Sequence, residues 1–307
     1  MQYRSFSEEM QRRFGCKVYK LSLDGGMTCP NRDGRLDTRG CIFCSGRGSG
    51  DFAAPSCLSI SQQLEAAKTR VARKNRDGKY IAYFQSFSNT YQSAEYLTPL
   101  FWEAISQPEV VALSIATRPD CLKDDVLELL RDLGKVKPVW VELGLQTIHP
   151  ETARYIRRGY DLSVYDEAVL KLKSVGAEVI AHQILGLPNE TVEMMVQTAR
   201  YIGRSGADGI KLQLLHVLEG TDLAEEYRRG QAKPLALEDY ITILEGCIKS
   251  LPPWMVIHRL TGDGGKGALL APLWSGDKKR VLNRIRERFL LDNLVQGSAY
   301  EEGISVK

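Results

Sequence analysis

Three cysteines follow the pattern Cys29-x11-Cys41-x2-Cys44 inside DGGMTCPNRDGRLDTRGCIFCSGRGSGDF, a stretch rich in Gly, Asn, Asp and Arg directly after an alternating apolar run. Thiolates are soft ligands, and three of them can each hold one iron of a [4Fe–4S] cubane. The missing fourth ligand then leaves one iron open to a small molecule. The same residues also suit zinc, because Cys-x2-Cys is half of many zinc knuckles. A closed tetrahedral site needs a fourth ligand, and His149 and His182 fall near strand ends elsewhere, so zinc would have to recruit Cys57 or Cys16. Spacing alone leaves iron and zinc about even. Cys16, Cys57, Cys121 and Cys247 read as small buried or half-buried hydrophobes, with Cys121 placed directly after a strand end, in the expected mouth of the site.

Such a loop needs a rigid support, and the rest of the chain supplies a repeating one. Short apolar or alternating runs at 17–23, 80–84, 110–115, 139–145, 178–185 and 209–216 each precede or follow a stretch of helical spacing, at 59–76, 96–106, 123–133, 150–157, 164–174 and 191–205. Six βα units in series predict an α/β fold with a parallel sheet and right-handed crossovers. Six strands are too few for a closed eight-stranded barrel, so the expected architecture is a partial, TIM-like (β/α)6 barrel. A doubly wound open sheet uses the same local units and stays open as the alternative. Both place chemistry at the carboxyl ends of the strands. Residues 1–216 are expected to form the barrel and 217–307 a C-terminal extension packed on it as one structural unit. The extension ends in a basic amphipathic helix at 277–291 that would leave Lys278, Lys279, Arg280, Arg284, Arg286 and Arg288 largely exposed.

One inward charge stands out. Glu142 lies in the apolar run VWVELGLQT, where an ionised carboxylate is costly unless paired. It predicts either a salt bridge, with Lys211 of the sixth run as partner, or a substrate contact.

Composition narrows the class. The 307 residues are 43% hydrophobic and 26% charged, ordinary for a globular protein with a full core. Seven cysteines are too sparse for a disulfide scaffold. No run approaches a spanning helix, and the charged opening MQYRSFSEEMQRRFG is unlike a secretory signal, so the expected location is the cytoplasm, with no membrane partner. A net charge of +3 permits a nucleic-acid partner without arguing for one.

The phrases LSLDGGMTCPNRDG, GCIFCSGRGSGDFA, YFQSFSNTY, ATRPDCL, VELGLQT, IRRGYD, ILGLPNET, GIKLQLLHVLEGTDL and HRLTGDGGK, in that order, resemble the Elongator-like branch of the radical S-adenosylmethionine (SAM) enzymes, over residues 17 to about 274. Within it the chain is similar to the short bacterial YtqA/MnmL group, implicated in maturing the wobble uridine of tRNA. The resemblance implies a [4Fe–4S] cluster on Cys29, Cys41 and Cys44, with SAM chelating the open iron. It implies SAM contacts from Gln85, Ser86 and Asn89 after the second strand and from Thr117 after the third. Gln146 and Arg158 match positions that meet the ribose and carboxylate of SAM, and His182 replaces an Asp of the coproporphyrinogen type. Lys211 and Glu142 become active-site residues. The implied partners are tRNA and a flavodoxin- or ferredoxin-like electron donor. The implied reaction takes carboxymethylaminomethyl-uridine towards the aminomethyl form. Two departures matter: Ala116 stands where Elongator proteins carry Glu before TRPD, and the residues after His216 leave no room for the acetyltransferase domain of the Elongator subunit.

Among weaker signals, GDGGKG at 262–267 lacks the Gly-x4-Gly-Lys-Ser/Thr pattern of a phosphate loop and suits instead a backbone that approaches a ligand closely. ILGLPNET reads as a strand end and a helix start, capped by Asn189 or Thr191.

Overall fold

A computed structural model describes residues 2–48, 50, 53–72, 78–262 and 267–301. Seven parallel strands line up in the order β1 (Tyr19–Leu23), β2 (Tyr80–Phe84), β3 (Val110–Thr117), β4 (Val139–Gln146), β5 (Glu178–Leu185), β6 (Gly209–Leu214) and β8 (Val256–Arg259). The sheet is a curled half-barrel, as the six βα units anticipate, with β1 and β8 at its edges. Helices α2 (Ile60–Val71), α3 (Ala94–Ile105), α4 (Asp124–Gly134), α5 (Pro150–Tyr155), α6 (Leu162–Ser174) and α7 (Val192–Arg204) form the connections. Ser59, Ser93 and Thr191 accept from backbone N–H groups at the starts of α2, α3 and α7. Each such cap contributes about 1 kcal/mol.

The seventh strand is the departure from six. β8 lies in the stretch LPPWMVIHRL, whose four-residue strand is too short to show a period; it becomes a strand because Gly209 and Ile210 of β6 offer an edge to pair with. After β6, a two-stranded ribbon joins β7 (Val217–Leu218) to β9 (Leu269–Ala271), and α8 (Asp222–Arg228), α9 (Leu237–Ser250) and α10 (Lys278–Leu291) complete the element order. Of the GDGGKG motif, residues 263–266 lie outside the described residues. Among the described residues no helix is long and apolar enough to cross a membrane.

Strand period two sorts the core. Ala82, Leu113, Val141, Val179 and Ala181 point outwards to the helices and belong to the main core, whereas their neighbours Ile81, Ala112, Trp140 and Ile180 point into the barrel and form a separate small core with Val18 and Met10. Helix α1 (Phe6–Phe14) closes the barrel at this end, Phe6 standing edge-on to Trp140 with ring centroids 6.2 Å apart. Glu9 of α1 is buried and collects Arg4, Arg12 and Arg13, the last also reaching Glu178 at the start of β5. The barrel interior is therefore largely apolar at its amino end, apart from His258 packed against Phe6 and Trp140, and its ionic groups lie one or two residues further along each strand.

Helix α10 corrects one expectation. Arg284 and Arg288 are half-buried, not largely exposed: both grip Glu238 of α9, each with a 2.8 Å contact, and add Glu287 and Asp292 respectively. The apolar stripe of α10, Val281, Ile285 and Phe289, sets this register by turning inwards.

Candidate active site

Two residues beyond the apolar floor, the inward positions become ionic. Glu142 follows Trp140 on β4, Ser114 follows Ala112 on β3, and Tyr83 follows Ile81 on β2. On β5, His182 follows Ile180 and stands beside Gly144 on one side and Lys211 on the other; Lys211 in turn stands beside Arg259. Glu142 is fully buried and accepts at both oxygens. Oε1 takes Lys20 Nζ and Ser114 Oγ (2.8 Å), and Oε2 takes His182 Nε2 (2.7 Å) and Lys211 Nζ. Burial alone would raise its pKa, yet the charges of Lys20 and Lys211 with the His182 bond hold it well below the usual carboxylate range. Of the two readings of Glu142, the salt bridge to Lys211 is present.

Burial, then the Lys211 charge, lowers His182 to a pKa of about 4 against the opposing pull of Glu142, so its imidazole is neutral at pH 7. Gln213 Nε2 lies 3.2 Å from His182 Nδ1, which places the proton on Nε2, towards Glu142. Burial likewise lowers Lys20 and, further, Lys211. Lys20 also sits over the rings of Phe6, Tyr83 and Trp140, at 5.5, 4.8 and 5.6 Å.

Above this layer opens a cavity lined by Gln85, Thr117, Glu142, Gln146, Arg158, His182 and Lys211, and by all three loop cysteines. The loop is held by its own polar side chains. Arg32 donates to the carbonyls of Cys44 and Ser45, both at 2.8 Å. Buried Asn31 donates to Arg157 O at 2.6 Å and approaches Cys41 Sγ at 3.5 Å, while Arg157 Nε returns a bond to Gly40 O at 2.8 Å. Gly48 is needed as glycine: its φ is +55°, and a Cβ there would come within 2.2 Å of the Phe87 ring. The cysteines are free thiols, and burial, then Cys44, pushes Cys41 up to about 12. They would ionise on taking metal, which stabilises the thiolate. Among the described residues no three His, Cys, Asp or Glu side chains converge closely enough for one metal ion. A cubane gives each thiolate its own iron, so three soft ligands that line one cavity fit that group.

The other assigned residues divide. Gln146 has a left-handed backbone, φ 65°, and folds back over Gly144, where any side chain would collide with its amide. Gln85 accepts from Ser22 Oγ at 2.9 Å, and Thr117 shares a 2.6 Å bond with Thr90. Arg158 lines the cavity, but its guanidinium serves the backbone, donating to Leu145 O, Thr147 O (2.7 Å) and Tyr160 O (2.9 and 3.0 Å). Ser86 and Asn89 are buried behind the wall, with Asn89 Nδ2 tying Phe84 O to Ala116 O. Cys57 is exposed, not buried; Cys121 is buried beside Asp120. The sequence reading missed Lys20, Tyr83, Ser114, Gln213 and Arg259. Their signal was a polar residue at an inward position of an apolar strand, which shows only once the register is known.

Comparison with known proteins fits this geometry. Residues 38–202 match the model of the radical SAM superfamily, and residues 207–290 match the radical SAM C-terminal domain. YtqA of Bacillus subtilis is 42% identical over 97% of this chain and 93% of its own length. The tRNA uridine(34) acetyltransferase of Methanocaldococcus jannaschii is 33% identical over 50% of this chain and 28% of its own. Among solved structures, Methanocaldococcus infernus Elp3 lacking its first residues superposes with a TM-score of 0.70 at 19% identity, over 91% of this chain and 64% of that one. With its cysteine loop set over the carboxyl ends of a parallel half-barrel, the chain belongs to the radical SAM superfamily.

Proposed function

We propose that the chain holds a [4Fe–4S] cluster on Cys29, Cys41 and Cys44, binds SAM at the open iron, and acts on the 5-substituent of a tRNA wobble uridine, taking the carboxymethylaminomethyl group towards aminomethyl. The observation that carries this reading is the shared cavity, lined both by the three loop thiols and by the buried ionic cluster around Glu142. When bound, the cluster and SAM would supply hydrogen-abstracting radical chemistry, with the electron coming from a flavodoxin- or ferredoxin-like donor. The rest falls to the protein. Arg32, Asn31 and Arg157 fix the loop that presents the thiols. Gln85, Thr117 and Gln146, on the wall, orient SAM, and Arg158 shapes the turn that carries Gln146. Ser86 and Asn89 support that wall from behind. Glu142 and Lys211 meet the reacting group at the floor, with His182 keeping Glu142 ionised. Residues 217–307 act with the barrel as one unit, since β8 contributes Arg259 to the cavity. Support for a tRNA substrate comes from the relative named for uridine 34.

The test is a comparison of tRNA nucleosides from cells with and without the gene. Loss should leave carboxymethylaminomethyl-uridine accumulating at the expense of the aminomethyl form. Identical nucleosides would move the substrate to a small metabolite or a peptide.

A further inference from the structure

The lining of the cavity carries more positive than negative side-chain charge. Among the described lining residues the one carboxylate is Glu142, and the Arg and Lys side chains are Arg32, Arg118, Arg158, Lys211 and Arg259. Arg259 has interactions of its own, and three of the others are committed to the fold. Arg32 holds the carbonyls of Cys44 and Ser45, Arg158 those around Gln146, and Arg118 pairs with Asp120 through two bonds at 2.8 and 2.9 Å. Lys211 retains capacity: an ammonium has three donors, and Glu142 and Tyr83 Oη accept from two. Nor is Glu142 its own to use, since Lys20 and Ser114 take the other oxygen. Arg259 stands next to Lys211 across the β6–β8 pairing. Two lysines thus contact one buried carboxylate and an arginine stands beside them, a setting in which like charges repel strongly and a second anion would be attracted. Burial is the larger cause of the lowered pKa of both lysines, and Arg259 lies close enough for its charge to lower them as well.

We infer that Lys211, with Arg259 beside it, is the specificity determinant that receives an anionic end of the substrate, a carboxylate on the group being modified, at the floor of the cavity. The identity of the substrate rests on the proposed function; the demand for an anion rests on the charge arrangement alone. A carboxylate there accepts the remaining Lys211 donor in a charge-assisted hydrogen bond and offsets the cationic excess. A substituent ending in an amine meets like charge instead, so the site separates the two by sign.

Two anticodon stem-loop RNAs that differ only at the wobble base, one with carboxymethylaminomethyl-uridine and one with aminomethyl-uridine, are titrated into the reconstituted holoenzyme without reductant. The acid-bearing RNA should bind about tenfold tighter or more, the scale of one charged hydrogen bond. Lys211→Met should remove most of that preference and Lys211→Arg retain most of it, with SAM affinity equal in all three proteins. Should Lys211→Met fold poorly, Arg259→Gln tests the same preference from the neighbouring strand. Equal affinity of the unaltered protein for both RNAs overturns the inference and leaves the tRNA reading intact. Loss of SAM affinity in Lys211→Met along with the preference also overturns it, since the anion served would then be that of SAM. If neither RNA binds, the tRNA reading fails, and an N-alkylglycine against the matching amine decides the inference: a preference for the acid that Lys211→Met abolishes supports it, and none overturns it.

Discussion

His182 donates from Nε2 to Glu142 Oε2 at 2.7 Å while its own pKa is lowered to about 4, so a neutral imidazole, not an imidazolium, faces the buried carboxylate. An unfolded histidine titrates near 6.5. Because the folded pKa is the lower, the unfolded state binds more protons between the two values, and stability present above pH 6.5 is lost as pH falls towards 4. Between pH 7.5 and 5 this group should cost about 2 kcal/mol. His182→Gln, which keeps a donor for Glu142, should flatten that part of the profile in urea unfolding. Parallel profiles for the two proteins would refute the linkage.

Glu142 is the counter-charge for two buried lysines, so Glu142→Gln should destabilise the fold by about 3 to 5 kcal/mol, the scale for breaking a buried ionic pair. Adding Lys211→Met should recover part of that loss, because the two residues share one network and their effects do not add. Strict additivity in denaturant midpoints would count against the network.

Anaerobic reconstitution should give one [4Fe–4S] cluster per chain. Cys29→Ala, Cys41→Ala and Cys44→Ala should each abolish its visible absorption, whereas Cys57→Ala should not, since Cys57 is exposed and lies off the cavity wall. Stoichiometric zinc without labile sulfide would return the loop to the zinc reading.

Arg158 should show two effects. Its guanidinium ties three carbonyls around the turn bearing Gln146, so Arg158→Ala should cost about 2 kcal/mol of stability and weaken SAM binding by about 1.5 to 3 kcal/mol. A lower melting temperature with unchanged SAM affinity in cluster-loaded protein would leave Arg158 a purely structural role.

On α10, replacing Lys279, Arg280 and Arg286 by Gln should reduce the salt dependence of tRNA affinity by up to about three phosphate contacts. Arg284→Gln should change it less, because Glu238 already holds that guanidinium at 2.8 Å. An unchanged slope in the triple variant would place the RNA on another face.

What the sequence determined by itself is what depends on short-range order. Alternation and helical spacing marked the first six strands and the helices between them, because side-chain period follows directly from backbone geometry. The three cysteines were readable because ligand chemistry depends on residue type and on one loop. Glu142 was legible as an anomaly, a charge in an apolar run. The sequence could also name Lys211 as a candidate partner, but tertiary structure alone decided that Lys20, Ser114 and His182 join it. Lys20 is 122 residues from Glu142 in the chain, and Lys211 is 69 away. They meet because each strand puts every second side chain inwards and the pairing register brings those positions to one depth, and a one-residue slip would have faced them to the helices. The same holds for β8, which needs β6 as a template. It holds too for Arg158, whose sequence position suggested a ligand and whose neighbours turned out to be carbonyls. Charge pairing on α10 was equally hidden, since Glu238 comes from a helix whose packing angle no local pattern encodes.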